Sequence, residues 1–516
     1  MRSKISLPAL FTAGLLLAAA VSAQTAPAGS ATPPAAPSAQ AAGARGGGRG
    51  QAAPAGPKLA PPKAFPAMGT YTNTTGISLC TDQTGAEIHY TMDGSAPSAT
   101  SPVFDQQQVM FLAGVYEGDR GLKTGYTIRA ITTRSGNAPS DPATFVYQVE
   151  RRDRTAYVSE MVAPGIRMIR DSDNDKMYLV EGTKAFALID SGLGRGDLKA
   201  YLSQFTGGLP IHGIFTHNHG DHIGQANQVI EWTEYIGGAD RAGLDGSLQR
   251  QNVPGEVIER NLRPLLDGDT VDLGDRALIT YATPGHTLGS IVILDPKTGA
   301  LFTGDSFGNN SPLPPDVMWM QGSRQPLDEY FATVLAVRRL LGDRVKTILT
   351  GHNDRPLIGT KYLDNVETAL QNLMDKGEAG LIPSLRPANL VQVVVGDRMS
   401  DPDWFGMNVN KQAFMPAPPD RISSIVDLRL TGAALEGRVN PRNLEYTAAV
   451  SPGGTLTVAV RPASSRVQGL TIDGKPAASN QPVAVPFTGE SRTVPIVVTA
   501  PDGMTTTTYQ LTLKRG

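Results

Sequence analysis

The sequence predicts an α/β core flanked by two all-β sandwich domains. Within residues 151–415, apolar strand-like runs alternate with helical patterns, as in a sheet covered by helices. In residues 63–150 and 421–516, short β-rich runs separated by turn residues replace that alternation, which favours sandwiches. The chain has 516 residues, enough for about three average domains. We therefore expect three folded parts.

The composition excludes several classes of protein. A single cysteine, Cys80, leaves no intramolecular disulfide framework and no multi-cysteine metal site. The formal net charge of −2 argues against a nucleic-acid partner, because phosphate binding needs a dense Lys/Arg surface. The only long apolar run is N-terminal, so no transmembrane span is expected once that segment is removed.

The N-terminal region predicts export. Residues 1–23 have the parts of a signal peptide, with Arg2 and Lys4 before an apolar core and small residues at the cleavage positions. The core is shorter than the roughly 18 apolar residues that a membrane span needs, so we expect cleavage and a periplasmic or secreted protein. Residues 24–62 are almost entirely Ala, Pro, Gly, Ser and Gln, and predict a disordered tether.

The first β-rich part covers residues 63–150. Residues 88–91 alternate as a strand before an Asp-Gly turn, and residues 126–130 and 144–147 predict further strands. On residues 88–97 (Ile-His-Tyr-Thr-Met-Asp-Gly-Ser-Ala-Pro) and these later strands, the region resembles the small immunoglobulin-like module at the end of chitobiases and hexosaminidases. A sandwich of this kind is no evidence of sugar binding.

The last part begins after residues 416–420, where a Pro-rich run predicts a stiff linker. Residues 421–516 are β-rich and resemble the cadherin-like β-sandwich domain of exported bacterial proteins. The residues that carry this resemblance are 428–432, 443–447 and 498–503.

The central part alternates strands with helices. A helix is predicted for residues 326–341, which have a broad apolar face and Pro326 near the start, and a helix-like segment for residues 225–232. The predicted strands cover residues 184–189, 211–216, 277–283, 290–294, 300–303 and 346–350.

Five of the seven histidines lie in three short turns that each follow an apolar strand. Residues 217–222 have the sequence His-Asn-His-Gly-Asp-His, His286 follows Pro-Gly, and His352 follows Gly. A fourth strand ends in Gly304-Asp305. Strand ends at one edge of a sheet place their loops on a common rim, and imidazole and carboxylate are the ligands that Zn²⁺ accepts when thiolate is absent.

The spacing within the first turn suggests two ions. Residues two apart in an extended loop point to the same side, so His217 and His219 can hold one ion, while Asp221 and His222 can serve a second. The alternative interpretations are a solvated His-rich loop, a helix cap or core histidine at 286, a chance Gly-His pair at 352 and an ordinary turn aspartate at 305. His89 and His212 have no such pattern and are interpreted as structural, and Asp190 as a residue that orients a ligand.

On these motifs the central part resembles the metallo-β-lactamase superfamily. The motifs are residues 188–192, 216–222, 284–286, 304–305 and 351–352, in family order. The resemblance implies an αββα sandwich with two metal ions. It implies that His217, His219 and His286 hold one ion, that Asp221, His222 and His352 hold the other, and that Asp305 bridges them.

The residue at position 305 suggests which branch of the superfamily the chain resembles. True β-lactamases of the family usually have Cys or Ser where this chain has Asp305, whereas a bridging Asp resembles the glyoxalase II and lactonase branches. We therefore expect an exported dinuclear hydrolase that uses a metal-bridging hydroxide on a small ester, lactone or related acyl substrate. Zn²⁺ is the first choice of metal, with iron or manganese as alternatives. Asp221 is expected to orient the nucleophile and to pass its proton to the leaving group.

Three alternatives stay open. The first is a mononuclear-iron sulfur dioxygenase of the same fold, and the second is a β-lactamase. The third is a surface attachment or binding protein, since flanking sandwiches suggest contact with a cell surface or a polysaccharide. Residues 306–325 form a long apolar loop after Asp305, which either contacts an apolar part of the substrate or packs on its own sheet.

Overall fold

The computed structural model describes residues 56–72, 74–104, 110–308, 317–320, 326–353, 356–377, 381–383, 390–395, 405–410, 415–451 and 455–516. Residues 55–516 form one compact unit. The predicted signal peptide and most of the predicted tether lie outside the described residues. Among the described residues, no helix combines the length and apolar character that a membrane crossing requires.

The first β-rich part forms two facing sheets around a core that includes Ile77, Leu79 and Ile128. One sheet has the order β1-β3-β6 and the other β2-β10-β9-β4-β5. The strands are β1 (Lys63–Phe65), β2 (Gly69–Thr72), β3 (Thr74–Cys80), β4 (Glu87–Thr91), β5 (Val103–Phe104), β6 (Met110–Ala113), β7 (Tyr116–Glu117), β8 (Arg120–Gly121), β9 (Lys123–Thr133) and β10 (Ala143–Glu150).

The predicted tether extends several residues too far. Gly56 donates its backbone N–H to the carbonyl of Gly136 at 2.6 Å, and Leu59 donates to Ala138 at 3.0 Å. The Leu59 side chain is buried. These backbone hydrogen bonds and this buried side chain order residues 56–62 against the first sandwich, so the disorder prediction is wrong for them.

The central part contains two large sheets, a smaller one and six α-helices among its described residues. The strands are β11 (Val158–Ala163), β12 (Ile166–Arg170), β13 (Lys176–Val180), β14 (Phe186–Ile189), β15 (Ile211–Phe215), β16 (Glu234–Gly237), β17 (Leu262–Leu265), β18 (Thr270–Asp272), β19 (Ala277–Ala282), β20 (Ile291–Asp295), β21 (Ala300–Gly304), β22 (Val317–Met320), β23 (Thr347–Thr350), β24 (Leu357–Ile358), β25 (Leu381–Pro383), β26 (Leu390–Val395) and β27 (Phe405–Asn410). The helices are α1 (Leu198–Thr206), α2 (Gly220–Ile223), α3 (Arg241–Arg250), α4 (Gly255–Asn261), α5 (Leu327–Leu341) and α6 (Lys361–Lys376).

These elements stack as helices, sheet, sheet, helices. The seven-stranded sheet β11-β12-β13-β14-β15-β16-β17 packs one face on α1, α3 and α4. Its other face meets the six-stranded sheet β18-β19-β20-β21-β23-β24, with Ile214 and Phe302 in the shared core. Helices α5 and α6 cover the far face of the second sheet. The architecture is the predicted αββα sandwich.

Parallel strands bring the functional loops to a common edge. Strands β14, β15, β16 and β17 run parallel, as do β21 and β23. Asp190 follows β14 and His217 follows β15, while Asp305 and His352 follow β21 and β23. The carboxyl ends of parallel strands lie at one edge of each sheet, and the two sheets pack face to face, so these side chains come together.

The helix predicted for residues 326–341 is confirmed as α5, with Pro326 at its N-cap. The helix-like prediction for residues 225–232 is wrong, because this segment contains only the short 3₁₀ turn Ala226–Gln228. Its polar side chains form hydrogen bonds with other segments instead. The Gln225 amide donates to Ser191 O at 2.7 Å, and Gln228 Oε1 accepts from the backbone N–H of Leu198 at 2.7 Å.

The C-terminal part is a second sandwich with its own core. One sheet has the order β28-β31-β34 and the other β29-β30-β36-β35-β32-β33. The strands are β28 (Ile425–Thr431), β29 (Ala433–Leu435), β30 (Glu445–Val450), β31 (Thr457–Pro462), β32 (Gly469–Ile472), β33 (Lys475–Pro476), β34 (Val483–Ala484), β35 (Ser491–Thr499) and β36 (Thr506–Arg515).

The segment predicted as a stiff linker is not a free spacer. Met415 and Ala417 pack against the apolar core beneath α5 and α6. Ile422 and Val426, at the start of the C-terminal sandwich, are buried in that same core. The Pro-rich composition indicated stiffness, but the apolar side chains beside the prolines bury themselves against the two helices.

Candidate metal centre

The structure brings all seven predicted ligands together at the edge where the strands end. Their ligand atoms fall into three overlapping groups, and within each group the atoms lie within 4.8 Å of one another. The groups are His217, His219 and His286; His217, His222 and Asp305; and Asp221, His222 and His352.

The first group is made of three imidazoles. Nε2 of His286 lies 2.9 Å from Nδ1 of His219, and the His217 ring lies 4.6 Å from the His286 ring between centroids. His219 is the N-cap of α2, which turns the chain and places Asp221 and His222 on the opposite side. Asp221 and His222 belong to the third group, in which Oδ2 of Asp221 is 3.4 Å from Nε2 of His352 and 3.9 Å from Nε2 of His222.

Asp305 lies between the first group and the third group. Its Oδ2 is 3.5 Å from Nε2 of His286, and its Oδ1 is 3.5 Å from Nε2 of His222 and 3.4 Å from Nε2 of His352. Each carboxylate oxygen therefore faces a different group, which is the arrangement that a bridging carboxylate needs.

The donor atoms fit divalent cations. Nε2 of His217, Nε2 of His222 and Oδ1 of Asp305 are buried and have no hydrogen-bond partner among the described residues. A buried polar atom without a partner costs about 1–3 kcal/mol, a cost that a bound cation removes. Nitrogen and carboxylate donors without thiolate suit zinc, iron and manganese.

Burial and neighbouring charges give the histidines of the site different protonation states. Burial, together with the neighbouring imidazoles, holds the pKa of His217 well below its usual value and lowers the pKa of His219 to about 4. Both rings are therefore neutral at pH 7, as ligation requires. Burial opposes the charged form of His352, but the carboxylates of Asp305 and Asp175 outweigh it and raise its pKa to about 10. A cation that binds His352 must displace that proton.

Asp190 supports two of the ligands. Its Oδ2 accepts hydrogen bonds from Nδ1 of His222 at 2.8 Å and from the Thr216 hydroxyl at 2.9 Å, and its Oδ1 accepts from the Thr216 backbone N–H at 2.8 Å. The Thr216 oxygen in turn lies 3.1 Å from Nδ1 of His217. These contacts occupy Nδ1 of both rings and leave Nε2 for a metal.

Three further supporting residues are absent from the sequence-based predictions. Asp240 accepts from the Asn218 N–H at 3.0 Å and from the Thr287 hydroxyl at 2.6 Å, so it ties the first histidine turn to the turn that carries His286. No local sequence signal distinguishes this aspartate.

The other two support the His352 turn. Oδ1 of Asp175 lies 3.4 Å from Nδ1 of His352, and Nζ of the buried Lys176 donates to the His352 carbonyl at 2.7 Å. The pair lies at the start of β13, far from residue 352 in sequence, so only the fold brings them to the site.

The two remaining histidines lie elsewhere. Nδ1 of His89 is 2.8 Å from the Ser101 carbonyl within the first sandwich, and the His212 ring packs on Tyr235 at 6.0 Å between centroids. Most of the loop predicted to contact substrate, residues 309–325, lies outside the described residues apart from β22. Two exposed leucines follow residues of the site closely in the sequence: Leu193 is 51% exposed, three residues after Asp190, and Leu288 is 62% exposed, two residues after His286.

The fold and this site define a protein with a metallo-β-lactamase domain. The family model described as "Metallo-beta-lactamase superfamily" matches residues 175–352. Residues 66–144 match the chitobiase/beta-hexosaminidase C-terminal domain, and residues 427–516 match the cadherin-like beta sandwich domain. The chain therefore carries a metallo-β-lactamase domain between two sandwich domains, as predicted.

Several relatives of the chain are named as hydrolases. The chain is 28% identical over 219 residues to the acyl-coenzyme A thioesterase MBLAC2 of Homo sapiens, covering 36% of this chain and 75% of that protein. It is 35% identical over 137 residues to a hydroxyacylglutathione hydrolase of Rhodospirillum rubrum, covering 26% of this chain and 48% of that protein. These similarities place the central domain among metallo-β-lactamase-fold hydrolases.

Solved structures are also similar to part of the chain. An archaeal metallo-beta-lactamase superfamily protein from Sulfolobus tokodaii is 18% identical, with a TM-score of 0.29, covering 42% of this chain and 86% of that one. A rubredoxin oxygen:oxidoreductase from Desulfovibrio gigas is 18% identical, with a TM-score of 0.32, covering 42% of this chain and 63% of that one. The chain thus spans less than two thirds of the second structure.

Proposed function

We propose that the protein is an exported dinuclear metal hydrolase, with zinc as the preferred metal, that cleaves an acyl ester, lactone or thioester. The observation that carries the proposal is the position of Asp305, whose two oxygens face different groups of histidines. Two divalent ions held there would lower the pKa of a shared water towards neutrality and polarise the substrate carbonyl. The relatives named as a thioesterase and a hydroxyacylglutathione hydrolase support an acyl substrate.

Asp221 is the residue best placed to handle protons. Its side chain is 37% exposed whereas that of Asp305 is 3% exposed, so Asp221 is the more accessible of the two carboxylates. Burial raises the pKa of Asp221, but the facing rings of His222 and His352 outweigh it and hold the pKa well below its usual value. An ionised, accessible carboxylate can orient the attacking water and then carry its proton to the leaving group.

The apolar rim favours a substrate with an apolar acyl group. Leu193 and Leu288 are exposed on loops next to Asp190 and His286, where an isolated leucine gains nothing from folding. A bound acyl chain would bury them.

The test is a substrate panel measured on one preparation, with an acyl ester, a lactone, an acyl thioester, a sulfate ester and a β-lactam. We expect turnover of an acyl substrate, its loss in Asp305→Ala and His222→Ala, and its retention in His212→Ala, a histidine outside the site. Full turnover in Asp305→Ala would contradict the proposal. Turnover of the β-lactam alone would show that the argument from Asp305 is wrong.

Export and attachment are further parts of the proposal. Cleavage after Ala23 would leave Gln24 as the first residue, which intact-mass measurement of protein from a secreting host tests directly. A mass that retains residues 1–23 would contradict the export proposal. Contact of the flanking sandwiches with a cell surface or polysaccharide is tested by pull-down of the full chain with purified cell-wall polysaccharide, and absence of binding contradicts it.

A further inference from the structure

One loop of the C-terminal sandwich reaches the central domain. It comprises residues 436–443, joins β29 to β30, and is called the bracing loop below. Val439 in this loop packs against the sandwich core and also against the core beneath α5 and α6. The arginines on either side of it, Arg438 and Arg442, bind groups of the central domain, so the loop belongs to both structures.

Arg438 holds the end of the strand that leads to His286. Its NH1 donates to the carbonyl of Ala282 at 2.7 Å, and its NH2 pairs with the carboxylate of Asp267. The same carboxylate accepts the backbone N–H of Ala282 at 3.0 Å. Both backbone polar groups of Ala282, the last residue of β19, are therefore fixed by this ion pair.

The contact continues from Ala282 into the metal centre. The N–H of Thr283 donates to the carbonyl of Ser290 at 2.8 Å and so closes the turn that carries His286. The Thr283 hydroxyl lies 3.0 Å from the hydroxyl of Ser306, the residue after Asp305. The segments that carry two candidate ligands thus meet one residue away from the Arg438 contact.

Arg442 is connected to Ser306 through the first turn of α5. Its guanidinium binds the fully buried carboxylate of Asp328 at 2.6 Å and that of Glu329 at 3.3 Å, both in the first turn of α5. Tyr330 follows directly, and its hydroxyl donates to the carbonyl of Ser306 at 3.0 Å. A second chain of contacts therefore connects the bracing loop to the residue beside Asp305.

The sandwich core keeps the bracing loop in place. The hydroxyl of Tyr446 donates to the carbonyl of Asn440 at 2.6 Å, and that of Tyr509 donates to the carbonyl of Pro441 at 3.2 Å. The Asn440 side chain accepts the N–H of Arg442 at 2.8 Å. Because the loop is fixed from behind, the two arginines present a rigid surface to the central domain.

We infer that the bracing loop is a positioning element of the metal centre, through which the C-terminal sandwich sets the placement of His286 and Asp305. Arg438 and Arg442 are positioning residues and touch neither ligand. The effect on metal affinity rests on the proposed metal centre, whereas the fixing of residues 283–290 and 304–308 does not. The sandwich is accordingly part of the hydrolytic unit and more than an attachment module.

Hydrogen exchange of the full, metal-free chain tests the fixing itself. We expect Arg438→Gln to speed amide exchange within residues 283–290 and 304–308 on the order of tenfold, because local opening no longer breaks the guanidinium contacts. Arg438→Lys should be intermediate, since an ammonium lacks the fork that spans Ala282 and Asp267. If Arg438→Gln does not fold, Asp267→Asn removes the same ion pair from the other side and should act in the same direction.

The matched control is Arg492→Gln. Arg492 is similarly part-buried and pairs with Asp473 at 2.8 Å, but its described contacts stay within the C-terminal sandwich. Exchange in residues 283–290 and 304–308 should match that of the parent. Equal exchange rates in parent, Arg438→Gln and Asp267→Asn would overturn the inference, as would an equal acceleration by Arg492→Gln.

Cobalt titration of the metal-free chain gives the second readout. Arg438→Gln should weaken Co²⁺ affinity, by a smaller factor than the roughly 10–100-fold typical of a residue hydrogen-bonded to a ligand, and change the visible absorption of the bound ion, while Arg492→Gln should do neither. Faster exchange with unchanged affinity and spectrum would overturn the effect on the metal centre. If the parent chain takes up no metal, the proposed function fails, and the exchange measurement still decides whether the loop fixes the two segments.

Discussion

Oδ2 of Asp190 lies 2.8 Å from Nδ1 of His222, and both side chains are almost completely buried. Asp190 adopts a left-handed backbone conformation with φ of 59°, which is costly for a residue with a Cβ. This backbone lets one carboxylate bind His222 and Thr216 together. The contact sets the ring so that Nε2 of His222 faces Asp305.

Asp190→Asn should therefore weaken metal binding. The amide can accept at one atom only, so either His222 or Thr216 loses its acceptor, and the loss of a carboxylate behind a ligating histidine typically costs about 10–100-fold in metal affinity. Competition with a chromophoric chelator measures the affinity. Asp197→Asn, at the N-cap of α1 where Asn caps equally well, is the control and should bind metal like the parent.

Glu234→Gln should change how stability depends on pH. Glu234 is fully buried on β16, and neither carboxyl oxygen has a hydrogen-bond partner among the described residues. Burial raises its pKa well above the ordinary value of 4.5. Below pH 4.5 both the folded and the unfolded chain are protonated at this group. Above it the unfolded chain releases a proton that the folded chain keeps, so stability falls by about 1.4 kcal/mol per pH unit until the folded carboxyl ionises.

Urea unfolding from pH 4 to pH 8 checks this expectation. The parent should lose stability relative to Glu234→Gln as pH rises, because glutamine has no proton to release in either state. Glu256→Gln, an exposed glutamate on α4, should keep the pH profile of the parent. Parallel profiles for the parent and Glu234→Gln would show that the buried carboxyl is not protonated in the folded chain.

Deleting residues 421–516 should destabilise the central domain. Ile422, Val426 and Ala463 are buried in the core that contains the apolar faces of α5 and α6, and each large apolar side chain removed from that core costs about 1.5–3 kcal/mol. We expect a lower melting temperature for the truncated chain and aggregation during purification. Deleting residues 24–54 within the predicted tether is the control. A truncated chain with parental melting temperature and turnover would support a purely attaching role for the sandwich.

Replacing the exposed leucines Leu193 and Leu288 should lower kcat/KM more for substrates with longer acyl chains. Leu193→Ser and Leu288→Ser should lower kcat/KM for a long-chain acyl ester on the order of tenfold and leave that for an acetyl ester unchanged, because only a long chain buries the leucine. A series of nitrophenyl esters of increasing chain length gives the measurement. Leu444 is an exposed leucine on the C-terminal sandwich, and Leu444→Ser should leave kcat/KM for both esters unchanged. An equal loss for both ester lengths would contradict an acyl-binding rim.

The candidate site could be predicted from sequence because each ligand lies in a turn that follows an apolar strand. That pattern is visible in the sequence alone, and His217, His286, Asp305 and His352 all conform to it. Asp240 and Asp175 could not be found this way, because neither belongs to a motif and each reaches the site only through the fold. Arg438 lies outside the central domain altogether, and sequence carries no sign of its contact with Ala282.

The helices likewise differ in how well the sequence predicts them. The apolar face of α5 was sufficient to predict it, whereas α3 contains Gly243 and Gly246 and has low helix propensity. Helix α4 has only seven residues, too few to show a period. Helix α6 buries Leu363, Val366, Leu370 and Leu373 at helical spacing, a pattern that is sufficient to predict this helix.

Metal content and turnover of one preparation test the central claim most directly. The chain should carry about two transition-metal ions per molecule, with hydrolysis of an acyl substrate that a chelator abolishes and added Zn²⁺ restores. Asp305→Ala should lose both metal and turnover. A preparation with one iron per chain and oxygen consumption, or with no transition metal and undiminished hydrolysis, would contradict a dinuclear hydrolase.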